Sequence, residues 1–240
     1  MRHLLFLGGW LAASVARAQA PTFDDHLVPP RSALALGDDQ LRYRGTIRHL
    51  LLPDKAAQAL VQVVVLPSFA PEYSLTIERT GPTYLLTYRL AKRSIWQASA
   101  PGAPANLGVL HGQGATVKPP SPRAARLDSA AIATRQLLLP PQLAQALVDV
   151  CSVALAQMRY PVQEPLRVDG TRLLISTVQP NIGYRSGEAF DPAAADSRLA
   201  ALIQLVAGLR ELAISSDQLD FQQDILLTAA QRLLIQLAAR

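Results

Sequence analysis

From Tyr73 to Tyr88 apolar and polar residues alternate. Tyr73, Leu75 and Ile77 share one side, Ser74, Thr76 and Glu78 share the other, and the pattern resumes with Tyr84, Leu86 and Tyr88 after Arg79-Thr80-Gly81-Pro82. A period of two on both sides of a glycine-proline turn predicts a β-hairpin, its second strand running through Leu90 toward Ile95 and Trp96. Val61 to Leu66 is so rich in β-branched residues that it predicts another strand. Leu41 to Leu52 reads as extended, because Tyr43, Gly45 and Ile47 alternate with Arg44, Thr46 and Arg48 until Pro53. Asp54 to Leu60 is one helical turn or two, and the stretch 54–66 as a whole reads as helix or strand. Leu166 and Val168 lead into Asp169-Gly170, and with Thr171 to Val178 they predict a second hairpin on an Asp-Gly turn.

The spacing changes to helical elsewhere. Pro140-Pro141 opens a helix to about Met158, with Leu143, Leu147, Cys151, Ala154 and Met158 on one stripe. Asn181 to Phe190 is a polar, glycine-punctuated passage. Asp191-Pro192 then reads as a helix start, aspartate accepting from free N–H groups and proline filling the first position. The helix behind it buries Leu199, Leu202, Ile203, Val206, Leu209 and Leu212. Ser215 to Gln218 caps a last helix whose stripe of Leu226, Ala230, Leu233 and Leu237 predicts docking on the domain. The expected fold is α+β: an antiparallel sheet from two hairpins plus one or two outer strands, packed on one face by about three helices.

Composition adds the compartment. Met1-Arg2-His3, the apolar run Leu4 to Val15 and Ala16-Arg17-Ala18 form a basic, apolar and small-residue series that reads as a signal peptide. The run is shorter than the roughly 20 residues of a membrane span, so no transmembrane segment is expected in the mature chain. Cleavage after Ala18 is preferred over Ala20, which would leave Pro21 next to the scissile bond. The organisation expected is a signal peptide over 1–18, a flexible segment over 19–39 and a single domain over 40–240, with a Pro/Gly/Ala-rich loop at about 97–127. The product is expected to be periplasmic or secreted. Losing Arg2 and Arg17 lowers the net charge from +5 to +3, and the scattered cations with few aromatics argue against nucleic acid. Cys151 is the single cysteine, so the chain closes no disulfide of its own and relies on a core that 240 residues can supply.

Leu66 to Leu75, Tyr84 through Trp96, Met158 to Pro161, Asp169-Gly170-Thr171 and Ser186 to Pro192 are the pieces by which the stretch from about Val65 to Ala213 resembles an uncharacterised family of small exported bacterial proteins. The resemblance implies export and a compact α+β fold, and no chemistry. The chain departs from that family in having Leu173 and Leu174 where aromatics are usual, and Phe190-Asp191-Pro192 in place of a tryptophan-serine-proline helix start.

Catalytic templates are missing from the sequence. His26, His49 and His111 lie far apart, so no metal site is expected, and neither a nucleophile elbow nor a phosphate-binding glycine loop occurs, so no cofactor is expected. Glu72, Asp169, Glu188 and Asp191 fall at element ends, where two carboxylates can share acid and base roles in glycoside cleavage. A plainer use is open to each: Asp169 in a turn, Asp191 as a cap, Glu72 and Glu188 paired with Arg93 or Arg185. A binding surface is expected where Trp96 meets Arg93, Arg185, Asp169 and Glu188, with Tyr73 and Tyr88 near it or in the core. The function expected is that of a non-catalytic, envelope-associated accessory or binding protein with an unidentified extracytoplasmic partner. The alternatives are a small carboxylate-dependent hydrolase and a membrane-surface protein docking through its last helix.

Overall fold

Val61, Val63 and Val65 are buried on one side of their strand and Gln62 and Val64 on the other, so this short valine run is covered on both faces. It is β1 (Val61–Pro67). The computed structural model describes residues 25–30, 37–52, 59–99, 132–160, 170–179, 182–191, 197–215 and 219–239. The expected leader, most of the 19–39 segment, most of Asp54–Leu60, the 97–127 loop beyond Ser99, His111 and Asp169 lie outside those residues.

β1 sits inside a six-stranded antiparallel sheet with β2 (Tyr73–Thr80), β3 (Thr83–Ala91), β4 (Ile132–Leu139), β5 (Thr171–Gln179) and β6 (Gly183–Asp191), ordered β4-β3-β2-β1-β5-β6. The hairpin of β2 and β3 is as expected, with Thr80 opposite Thr83 and Gly81 at φ 63 in the first central position of the turn. That left-handed backbone followed by proline suits a two-residue primed turn. The second hairpin differs from expectation. Both edges of β5 are occupied, one by β1 and one by β6, so the hairpin joins Thr171–Gln179 to Gly183–Asp191, and Leu166 and Val168 lie outside the described residues. The passage over 181–190 is therefore largely strand, its small and polar residues tolerated because β6 is a sheet edge.

α3 (Pro141–Ala156), α4 (Arg198–Ile214) and α5 (Leu219–Ala238) cover one face. The core between sheet and helices holds Leu75, Ile77, Leu86, Tyr88, Leu173 and Ile175 from the strands and Leu143, Leu147, Cys151, Leu202, Val206 and Leu212 from the helices. Leu226, Ala230, Leu233 and Leu237 of α5 are all buried, as their spacing predicts, and Gln157 Nε2 donates to the Leu237 carbonyl at 2.7 Å. α5 keeps Phe221, Ile225 and Ile235 exposed on its outer side. A Cβ on Gly208 of α4 would stand 2.6 Å from Leu226 Cδ2, so glycine there lets α4 and α5 approach closely. α4 starts at Ser197, not at Asp191. Ser197 Oγ accepts from Ala200 N at 2.9 Å, and Asp25 accepts from Leu199 N and Arg198 Nε. Asp191 instead closes β6 opposite Thr171.

Helices α1 (Asp38–Leu51) and α2 (Ile95–Ser99) lie over the opposite face. α1 occupies the stretch read as extended. The alternation over 43–48 spans too few residues to decide, whereas Tyr43, Ile47, Leu50 and Leu51 recur at helical spacing and pack with Val64, Ala91 and Ile95 in a second, smaller core. Asp38 and Asp39 in its first turn and Arg48 and His49 in its last suit the helix dipole. Its last carbonyls are met from the sheet, Ser74 Oγ donating to Leu51 O at 2.7 Å and Arg89 Nη1 to Leu50 O at 3.4 Å. Beyond them, one register row crosses all six strands with uncharged polar side chains: Gln136, Thr87, Thr76, Gln62, Ser176 and Ser186. Ser176 and Ser186 hydroxyls lie 2.9 Å apart, and Tyr184 Oη donates to Gln62 Oε1 at 2.7 Å.

Cys151 is buried in the larger core, and burial pushes its thiol up to about 12. Tyr73, half-buried beneath the Arg210 guanidinium, is also raised to about 12, chiefly by burial. Both groups ionise later when folded than unfolded, so their stabilisation is complete below the unfolded values and is lost as pH climbs to about 12. Urea unfolding followed across this range should give stability falling from pH 9 upward, by roughly 1 kcal/mol per pH unit for each group. In Cys151→Ala the fall should begin a unit later, when Tyr73 of the unfolded chain starts to titrate.

Candidate functional site

Two adjacent residues of α1 reach two different carboxylates. Successive side chains on a helix point about 100° apart, which sends Tyr43 toward the start of β2 and Arg44 toward the end of β6. Tyr43 Oη donates to Glu72 Oε1 at 2.9 Å, and Arg44 Nη2 donates to Glu188 Oε1 at 3.1 Å. Glu72 and Glu188 are exposed by 0% and 2% respectively.

Glu72 precedes β2 and faces α2. Its carboxylate accepts from Ile95 N at 2.6 Å, Trp96 N at 2.9 Å and Ser94 Oγ at 3.3 Å as well as from Tyr43. These are charge-assisted bonds to helix-start amides, the stronger kind. Glu188 lies on β6 and is also approached by Arg172 Nε of β5 at 3.9 Å. The Arg172 guanidinium stacks over Phe190 at 5.2 Å. Trp96 meets Tyr43 edge to face at 5.1 Å and remains 48% exposed. Burial pushes the Tyr43 hydroxyl well above its ordinary value, with the Glu72 charge and hydrogen bond adding to the rise and Arg172 opposing it. The phenol therefore serves as a fixed donor, and adjacent Tyr43 and Arg44 of α1 join the Glu72 and Glu188 groups into one cluster.

Of the residues expected at the site, Trp96 and Glu188 belong to this cluster, joined through α1. Arg93 is exposed just ahead of α2. Arg185 stands opposite Thr177 on the helix-covered face of β6, away from Glu188, because an odd spacing along a strand reverses the side. Glu188 therefore pairs with Arg44 and Arg172, and among the described residues Glu72 pairs with no arginine. Asp169 lies outside the described residues, and Asp191 is exposed. Tyr73 and Tyr88 meet each other at 5.7 Å on the helix side and are core residues. Tyr43, Arg44, Ser94 and Arg172 were missed. The helical spacing of Tyr43 with Ile47, Leu50 and Leu51 was the available signal.

Chemically the cluster is a set of closed pairs with one aromatic edge toward water. Glu72 has both oxygens bonded by structural donors, while Glu188 accepts from Arg44 on one oxygen and faces Arg172 at 3.9 Å on the other. Among the described residues no group of three His, Cys, Asp or Glu side chains is placed to hold a metal ion, and no helix is long and apolar enough to cross a membrane. No family model, curated protein or solved structure matches the chain.

Replacing Glu72 by glutamine turns one acceptor oxygen into a donor facing backbone N–H groups. Glu72→Gln should lose about 2–4 kcal/mol in urea unfolding, and Tyr43→Phe about 1 kcal/mol. The double variant should recover part of the summed loss, since both changes touch the same bond.

Proposed function

We propose that this chain is exported and works as a non-catalytic accessory or binding protein of the cell envelope, in keeping with its resemblance to an uncharacterised exported family. The observation that supports the non-catalytic part is that Glu72 is bonded on both oxygens and Glu188 is paired with Arg44 and Arg172. Each is the kind of buried carboxylate a hydrolase needs, and each is committed to holding helices and strands together. The basic, apolar and small-residue start of the sequence supports export. Trp96, half-exposed and backed by Tyr43, stands within three residues of the exposed Arg93. An exposed aromatic with an exposed arginine close in sequence suits the sugars, peptides and carboxylates of an envelope polymer.

Expressed in a bacterial host with its leader, the protein should be recovered outside the cytoplasm, beginning at Gln19 by N-terminal sequencing. The purified chain should cosediment with isolated cell-wall polymer and leave it intact. Trp96→Ala combined with Arg93→Glu should weaken that retention on the order of tenfold without changing the fold. Cleavage of the polymer by the wild type, lost in Glu188→Gln, would establish the hydrolase instead. Retention on anionic vesicles, lost in Phe221→Ser, would establish the membrane-surface alternative.

A further inference from the structure

The two edges of the sheet are finished differently. At β6, Val28 closes the outer side with a pair of backbone bonds to Glu188, 2.9 and 2.7 Å long. At β4, no strand among the described residues pairs with the outer side. β4 lacks the irregularities that usually finish an edge: its eight residues hold no glycine or proline and pair to β3 residue for residue from Leu139 to Ile132 with no bulge. Ala133 to Gln136 are exposed in succession, and Leu138 is 62% exposed. Charges usually guard such an edge. Here the one charged residue, Arg135, is turned back to the α4 end and donates to Ile214 O at 2.5 Å.

We propose that the outer edge of β4 joins two copies of this chain, their β4 strands pairing antiparallel about a two-fold axis at Gln136. An axis normal to the sheet keeps the helix-covered face of both copies on the same side, because residues directly opposite share a face. Arg135 then faces Leu137 of the second copy, Thr134 faces Leu138, and Ala133 faces Leu139. An axis one residue away, at Arg135, would set like charges opposite each other, which is unfavourable. With Gln136 at the centre, the two carboxamides lie side by side as donor and acceptor. The polar row from Gln136 to Ser186 becomes continuous through both sheets. The strand thus complements itself, which commits this edge to a second copy; a foreign extended segment would have to supply the same pattern.

Sedimentation velocity of the purified full chain over a range of concentrations tests this. The wild type should form a dimer. Gln136→Lys and Gln136→Glu should each weaken it by roughly tenfold or more, because identical charges meet on the axis. An equimolar mixture of the two should restore dimers, and Gln136→Ser should remain dimeric. Circular dichroism and urea midpoints show whether each variant is folded, and a second charge, Thr134→Lys, gives the same reading should Gln136→Lys fail to fold. A wild type that stays monomeric at its highest soluble concentration overturns the proposal. So does a dimer indifferent to both lysine variants, or a charge-swapped pair that does not recombine.

Discussion

A carboxylate sealed from water fastens two helices to one strand. Taking the Glu72 charge out of water costs several kcal/mol, and the structure repays this with four donors: two amides at the start of α2, the Ser94 hydroxyl and the Tyr43 phenol. No neutral side chain of that size accepts so many bonds. The position of Trp96 follows from it, because its own amide is one of the donors and its ring rests on the phenol that is another. The smaller core of Ile47, Leu50, Leu51, Val64, Ala91 and Ile95 then fills the space between helix and sheet.

The two faces of the sheet are specified by different physics. On the helix side the contacts are apolar and non-directional, and such cores tolerate exchange among residues of similar volume. On the α1 side they are directional. A one-residue slip of β1 would bring Gln62 into the larger core and turn Val63 toward the polar row. It would also break the 2.7 Å bond from Tyr184 and move Val64 away from Leu174. The polar row therefore sets register where hydrophobicity alone, in a strand buried on both faces, cannot.

That same double burial explains what was legible. The alternation at 73–88 and the helical stripes from Leu143 to Leu237 gave the hairpin, three helices and most of their buried residues, because apolar and polar residues segregate to opposite faces of each element, even where the polar Ser74, Thr76 and Thr87 are themselves buried. α1 escaped because Arg44 and Arg48 looked like the wet side of a strand, while Arg44 is in fact drawn inward by Glu188. β6 escaped because its glycines and polar residues resemble a loop, and only the pairing with β5 makes it a strand. Asp191-Pro192 carried the local chemistry of a cap, yet Asp191 is held in the ladder opposite Thr171. Local signals failed where strand pairing or a side-chain partner, near or far in sequence, decided the outcome. Trp96 and Glu188 were found as chemical types, and their actual partners were not, since Arg44 lies 144 residues from Glu188.

Long-range ion pairs also tie distant parts of the described chain together. The ion pair from Arg198 to Asp25 at 2.7 Å and the one from Arg44 to Glu188 at 3.1 Å fix the N-terminal segments onto the second half of the chain. A disulfide closing loops of that size would stabilise by about 4 kcal/mol or more, whereas a partly exposed ion pair contributes about 1 kcal/mol or less. These ties therefore orient segments more than they strengthen the fold, and the stability rests on the apolar layer between sheet and helices. β1 is the strand on which that layer closes, because it joins the β2–β3 hairpin to a β5 that follows it by more than a hundred residues. Each hairpin can form on local contacts and β1 can add to β2 locally, but the edges of β1 and β5 that face each other are covered only when the two meet, so this pairing carries a large closure entropy.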